Sequence, residues 1–281
     1  MSAADDGLAG SGGTAMPAPA APRPGGSILE TRGLSKRFGG VNAVQNVSFA
    51  VPRGVVFALI GPNGAGKSTV VNLLTGALKP SAGDATLSGV IVTGRKPHQV
   101  TAAGMARTFQ NGRLFRRLSV LDNVLVGATP RVEAGFVDIV LRTPRFRASE
   151  HRLRERALAA LARLGLADLA DREVGSLPYG QGRMVEIARA LVSDPVMLLL
   201  DEPAAGLNSG EVERFLGVIE GLRRDGLTML LIEHNMGLVM RVADRIAVLN
   251  FGELIAEGTP AEIRGDPAVL EAYLSRGTAH V

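Results

Sequence analysis

One stretch, Val55 to Thr69 with the sequence VVFALIGPNGAGKST, constrains this chain more than any other. Val55 to Ile60 is a short unbroken apolar run, the pattern of a strand buried on both faces of a parallel sheet. Glycines at 61, 64 and 66 then permit a sharp turn, and Lys67-Ser68 opens a helix-forming segment, Thr69 to Leu78, that Pro80 ends. Strand, GxxxxGK[ST], helix is an arrangement that converges backbone N–H groups on a polyphosphate while the helix N-terminus adds positive potential. Gly61, Pro62, Asn63, Gly64, Ala65, Gly66, Lys67, Ser68 and Thr69 are therefore the candidate phosphate cradle. In such a cradle Lys67 reaches the β- and γ-phosphates and Ser68 puts its hydroxyl on Mg²⁺. A chance match to four fixed positions is the bland alternative, and the strand before and helix after argue against it.

The remaining composition bounds the answer mainly by exclusion. With 281 residues, 46% of them hydrophobic, the chain can bury a sizeable core. It has no cysteine, which removes disulfides, thiolate metal sites and cysteine nucleophiles. A net charge of +4 is too small to argue for nucleic acid by itself. No apolar run approaches the roughly 18 residues that span a bilayer, so a membrane role is expected to come through a partner. Met1 to Ser27 lacks the basic start and apolar segment of a signal peptide, and a cytoplasmic protein is expected. Those 27 residues, almost all Ala, Gly, Pro and Ser, are expected to be a disordered tail before a folded domain over 28–281.

Along that domain, Ile28 to Phe38 and Asn46 to Val51 read as strands, the second with Val47, Phe49 and Val51 alternating with Ser48 and Ala50 as in a half-buried antiparallel strand. Gly83 to Val92 resumes strand character, and Ala106 to Gln110 ends another strand. Leu121 to Gly127 is a short helix, and Ala148 to Leu166 is helical, with Leu153, Ala157, Leu158, Leu161 and Leu164 on one face. This helical block, about 111–190, interrupts an α/β pattern and is expected to be an inserted subdomain. Its arginines at 142, 145, 147, 152, 154 and 156 read as a solvated face, because Glu150 and Glu155 are interleaved and Phe146 is the only aromatic among them. The α/β rhythm returns with strands at Val196–Leu200 and Leu227–Ile232 and helices at Gly210–Arg224 and Met236–Val242, then two short strands and two short helices. The fold class is α/β: a P-loop NTPase with a mostly parallel sheet core, an antiparallel β subdomain and an inserted α-helical subdomain.

Met197 to Leu200 is an apolar run ending in two carboxylates, Asp201 and Glu202. A P-loop enzyme needs a carboxylate there to hold Mg²⁺, assigned to Asp201, and Glu202 beside it can orient or deprotonate the attacking water. His234 follows the next strand at its C-terminal end, where open α/β sheets bind ligands. Phe38 is either a base-stacking aromatic near the phosphate loop or an ordinary core phenylalanine.

These residues together resemble the ATP-binding subunit of an ABC transporter, from Leu29 to about Leu274. GPNGAGKS is similar to the Walker A loop, Gln110 stands in the Q-loop, Leu177-Pro178-Tyr179-Gly180-Gln181 occupies the signature, MLLLDE is the Walker B strand, Ala205 to Asn208 the D-loop, and His234 the switch histidine. The resemblance implies that Phe38 stacks on adenine, that Gln110 joins Ser68 and Asp201 around Mg²⁺, and that Gly180 and Gln181 meet ATP held by an opposite subunit. RFGG, ARTFQN, the TPRFR insertion, YGQ, DEPAAGLN and IEHNM resemble the branched-chain amino acid uptake branch. The implied partners are a second ATPase subunit, identical or different, integral membrane permease subunits and, indirectly, an external solute-binding protein. The implied place is the cytoplasmic face of the membrane, and no nucleic-acid partner is expected.

Two segments depart from the family pattern, the signature and the D-loop. Pro178 replaces the signature serine, offering neither hydroxyl nor N–H, and Tyr179 replaces a glycine, so it is expected to crowd the approach. The D-loop ends in Asn208 where aspartate is usual. Pro178 leads to the expectation that the ATP site facing this signature is the weaker of two, while this chain's Walker A and Glu202 serve the stronger. The alternatives are urea or amide uptake, export of another solute, and a soluble ABC ATPase acting on nucleic acid or ribosomes. The last finds no second cassette, zinc cysteines or long coiled coil here.

Overall fold

Three short apolar strands, β3 (Val56–Ile60), β7 (Met197–Asp201) and β8 (Thr228–Ile232), are buried at every residue. They form the centre of a six-stranded sheet in the computed structural model, which describes residues 26–108, 114–128 and 143–274. The sheet order is β10-β9-β3-β8-β7-β6, with β6 (Met105–Arg107) at one edge and β9 (Arg245–Asn250) and β10 (Glu253–Gly258) at the other. All neighbours pair in parallel except β9 with β10. Successive side chains along a strand point to opposite faces. Val56, Leu198, Leu200, Met229 and Leu231 accordingly enter one core, and Phe57, Leu59, Leu199, Leu230 and Ile232 the other.

The second core is closed by α1 (Lys67–Leu74) and by a four-stranded antiparallel sheet of order β2-β1-β4-β5. These strands are β1 (Ser27–Phe38), β2 (Val41–Pro52), β4 (Ala82–Leu87) and β5 (Val90–Ile91). The first core lies under the helical block: α3 (Val120–Gly127), α4 (Pro144–Arg163) and α5 (Tyr179–Leu191), together with α6 (Ser209–Arg224). A short α2 (Pro97–Ala102) precedes β6, and α7 (Met236–Val242), α8 (Pro260–Gly265) and α9 (Pro267–Leu274) complete the chain. Arg163 at the end of α4 reaches Asp225 after α6 at 2.6 Å, pinning the helical block to the core.

The differences from expectation have local causes. Ser27, expected in the tail, opens β1 and pairs with Pro52; residues 1–25 lie outside the described residues. β2 begins at Val41 rather than Asn46 because β1 pairs with it as far as Phe38–Val41, where no apolar alternation marks it. The segment from Gly83 to Val92 is two strands, turned at Ser88-Gly89 with both residues at positive φ, as a tight hairpin requires. The helix after the phosphate loop ends at Leu74, short of Leu78. Helix α4 starts at Pro144, before Ala148, because Thr143 accepts the Phe146 N–H and Pro144 suits the first helical position. On it Ala157, Leu161 and Leu164 are buried and Leu153 half-buried, whereas Leu158 is 36% exposed and lies off the stripe.

Phe57 is fully buried and stacks on Phe49 at 5.5 Å, joining the two sheets. Phe57→Ala is expected to cost about 3–5 kcal/mol. The midpoint of urea unfolding by circular dichroism checks it, and a loss below about 1 kcal/mol would mean that the sheets do not depend on this contact.

Candidate nucleotide site

The end of β3 delivers the chain to Gly61, whose φ of +148° and lack of a side chain are both required: a Cβ there would strike the Leu249 carbonyl. Beyond it, Ala65 N–H closes on Pro62 O at 3.1 Å, and the loop is braced from outside by Gly252 N–H to Ala65 O at 2.9 Å. Lys67 is 7% exposed, and its ammonium donates to Gly61 O at 2.6 Å and Pro62 O at 3.0 Å. The cation is therefore held inside the curve of the loop, with Ser68 exposed beside it. A pocket of about 540 Å³ opens there, lined among others by Asn63, Gly64, Lys67, Ser68, Glu202 and Phe251.

Glu202 reaches this pocket from β7. Its φ of +46° is uncommon for a residue with a side chain, and its N–H is pinned to Ile232 O at 2.9 Å. An αL conformation in a non-glycine residue stores roughly 1 kcal/mol or more, and here it accompanies a carboxylate set against the phosphate loop. Asp201, one residue earlier, is 2% exposed. Its Oδ2 accepts from Arg107 at 2.8 Å, and Arg107 also donates to Asn72 Oδ1 at 2.9 Å. Arg107 thus ties the end of β6 to both β7 and α1. In the sequence its one signal is a basic residue that ends a short apolar strand.

His234 is 58% exposed on its side chain, and its backbone N–H donates to Glu233 Oε2 at 3.2 Å. Glu233 is 1% exposed, and its Oε1 accepts Ala204 N–H at 3.0 Å. One buried carboxylate thus joins the histidine to the segment that follows Glu202. Glu233 likewise has one signal in the sequence, a carboxylate adjoining an apolar strand. Phe38 ends β1 at 47% exposure with Lys36 Nζ 5.1 Å from its ring centroid, and it is not among the residues lining the phosphate pocket. Gly180 and Gln181 lie in the first turn of α5 and line a separate hollow with Glu211, outside that pocket. Asn208, the unusual D-loop residue, caps α6: its side chain accepts Glu211 N–H and Glu211 returns a bond to Asn208 N–H, both at 3.0 Å. Gln110 lies outside the described residues.

Between α2–β6 and the helical block runs a second, mainly apolar cleft of about 440 Å³, lined by residues including Val100, Met105, Arg107, Phe115, Glu186 and Arg189. Burial pushes the Glu186 carboxyl above its ordinary value, and Arg183 and Arg189 offset part of that. Asn123, wholly buried, holds the cleft's Phe115 by accepting its N–H at 2.8 Å and donating to its carbonyl at 3.1 Å.

The family model described as ABC transporter matches residues 44–205, which run from β2 through the phosphate loop to the D-loop. The chain belongs to the ABC transporter family. A second model, described as branched-chain amino acid ATP-binding cassette transporter, matches residues 253–274. The chain is 46% identical over 248 residues to the high-affinity branched-chain amino acid transport ATP-binding protein LivG of Salmonella typhimurium, covering 88% of this chain and 97% of LivG. Among solved structures it is similar to the ADP conformation of an ABC transporter cassette, at TM-score 0.78 and 33% identity, covering 88% of this chain and 98% of that one. It also resembles a dimeric post-hydrolysis cassette bound to ADP and Pi, at TM-score 0.69 and 25% identity over 83% of this chain and 99% of that one. The ABC cassette fold accounts for the mostly parallel sheet and the antiparallel sheet beside it.

Two outcomes follow from the geometry. Glu202→Gly relieves the αL backbone that Glu202→Ala retains, so it is expected to be about 1 kcal/mol more stable than Glu202→Ala by urea unfolding. Arg107→Ala leaves the Asp201 carboxylate buried without its cation, and a loss of about 3–5 kcal/mol is expected in the same assay.

Proposed function

We propose that this chain hydrolyses ATP to drive import of branched-chain amino acids through a membrane permease, as one of two ATPase subunits that enclose two nucleotides between them. The observation that carries the reading is the joining of the phosphate loop and Glu202 in one pocket. Lys67 and the loop N–H groups bind the β- and γ-phosphates, and Phe38 stacks on the adenine. Ser68 Oγ, Asp201 and Gln110 are the Mg²⁺ ligands of this reading, directly or through water. The donor set suits a hard cation: all are oxygens, and while Arg107 fixes Asp201 Oδ2, Oδ1 carries no hydrogen bond among the described residues. Bound Mg²⁺ supplies charge neutralisation on the phosphates. Glu202 accepts the proton of the attacking water as that water's oxygen bonds to the γ-phosphorus and the ADP oxygen leaves. His234, its backbone fixed by Glu233, donates toward the γ-phosphate.

The γ-phosphate is held from both subunits, so its loss releases the dimer, an order-to-disorder switch. The similarity to a dimeric cassette supports this arrangement. The apolar cleft beside α5 receives a cytoplasmic loop of the permease. Arg107, which lines that cleft and holds Asp201, is one physical link from permease to phosphate site. No helix among the described residues is long and apolar enough to cross a membrane; attachment at the cytoplasmic face is through the permease. The solute class is supported by the name of the LivG relative and by the match over residues 253–274.

ATPase activity of the chain, alone and assembled in lipid with a second ATPase subunit, permease and leucine-loaded binding protein, tests the reading. Turnover is expected to be low alone, to rise with the loaded assembly, and to fall by about 100-fold or more in Glu202→Gln. Turnover indifferent to permease but stimulated by RNA or ribosomes would overturn it.

A further inference from the structure

The first turn of α5 and the D-loop of the same chain are tied together twice. Tyr179 turns its hydroxyl toward its own chain and donates to Ala205 O at 3.1 Å. Its ring edge rests against Gly206, where a Cβ would stand 3.1 Å from Cε1. One residue on, Gly180 N–H donates to Glu211 Oε1 at 3.2 Å, while Glu211 Oε2 accepts Asn208 N–H at 3.0 Å. A single carboxylate therefore spans the N-termini of α5 and α6, where negative charge is favoured. Arg183 supports the tyrosine from behind, with its guanidinium carbon 5.5 Å from the ring centroid. It is held there by Glu186 at 2.9 Å, with side-chain exposures of only 8% and 5%. The ring is thus oriented by a buried ion pair, although 55% of the residue is exposed.

We propose that Tyr179 is a positioning residue whose hydroxyl, together with the Glu211 carboxylate, clasps the signature turn to its own D-loop so that the two move as one body. This deepens the reading above and rests on it, since there the signature and D-loop both face a second subunit. The D-loop is in turn attached to the backbone of Glu202: Ala205 N–H donates to the Glu202 main-chain carbonyl at 3.2 Å. A helical block that rotated without the clasp would carry the signature away while the D-loop stayed with β7. With it, a shift of the signature reaches the backbone of Glu202 through two hydrogen bonds on Ala205, one at its carbonyl and one at its N–H. The clasp therefore acts on turnover, and a role as a donor or stacking surface for the opposite nucleotide would act on affinity instead.

Tyr179→Phe removes the hydroxyl and keeps the ring. In the assembled transporter it is expected to lower kcat by roughly fivefold or more, a typical coupling magnitude. The KM for ATP is expected to stay within about twofold and the isolated chain's Tm within about 1 °C. In hydrogen exchange, the amides of residues 205–208 are expected to exchange faster in the variant. Adding Glu211→Gln to Tyr179→Phe is expected to cost less than the product of the two single effects, because both break one clasp. A wild-type kcat in Tyr179→Phe, or a loss that resides in KM, would overturn the proposal. The same preparation separates the two readings: absence of stimulation by leucine-loaded binding protein overturns the transport reading. The ratio of variant to wild-type basal turnover decides the clasp in either case.

Discussion

The parallel register of three strands fixes everything else in the site. Leu59 of β3 and Asp201 of β7 both pair with Ile232 of β8, so the three strands end at one level. Parallel strands leave a sheet on the same side, so the phosphate loop, Glu202 and His234 emerge together although they stand far apart in the chain. Shifting β7 by one residue against β8 would turn Asp201 to the opposite face of the sheet and draw it out of step with the end of β3, so the register sets the site. The full burial of all fifteen residues in these strands is therefore a condition of the chemistry as well as of stability.

A sheet edge so deeply buried must still carry charge. The structure resolves this by giving the buried carboxylates at the ends of β7 and β8 at least one donor each from another element. Asp201 takes Arg107, and Glu233 takes two backbone N–H groups, from Ala204 and His234. An unpaired ionised carboxylate in such a place costs several kcal/mol, so these contacts are required once the acids are present. They also have a mechanical effect: each ties together segments that carry site residues. Arg107 links the cleft edge to Asp201, and Glu233 links His234 to the turn beyond Glu202. The sheet supplies position, and the hydrogen bonds of the buried carboxylates supply orientation.

Much of this was legible in the sequence because it rests on local rules. The strand–loop–helix signal located the loop that curves around Lys67, apolar runs located β3, β7 and β8, and the two acids at a strand end fall at the end of β7 as expected. Boundaries failed where pairing outran pattern, as in the first half of β2, whose exposed residues at 41 and 42 carry no alternation. The six-residue α2 was missed because it buries only Val100 and so shows no period. Arg107 and Glu233 were missed for a different reason. Their importance comes from a partner that only the folded sheet brings near, and no spacing announces it. Tyr179 was noticed as a departure, but size alone suggested obstruction, whereas its direction is set by Arg183 and Ala205.

The signature of this chain is built toward its own fold. Pro178 is accommodated as the N-cap of α5, since a cap residue's N–H takes no part in the helix, yet it brings no hydroxyl to an anion. The hydroxyl that the segment does contain, on Tyr179, points to Ala205, and the Gly180 N–H is engaged by Glu211. A phosphate approaching this turn from another subunit must share a donor with a carboxylate and meet that carboxylate's charge. The opposite holds at the Walker A end, where the Lys67 ammonium and the exposed Asn63, Gly64 and Ser68 face the pocket that Glu202 lines. One surface of the chain thus gathers donors and a carboxylate around an open pocket, and the other spends its donors within its own fold. A pair of subunits in which only one carries such a signature would then hold two unequal ATP sites.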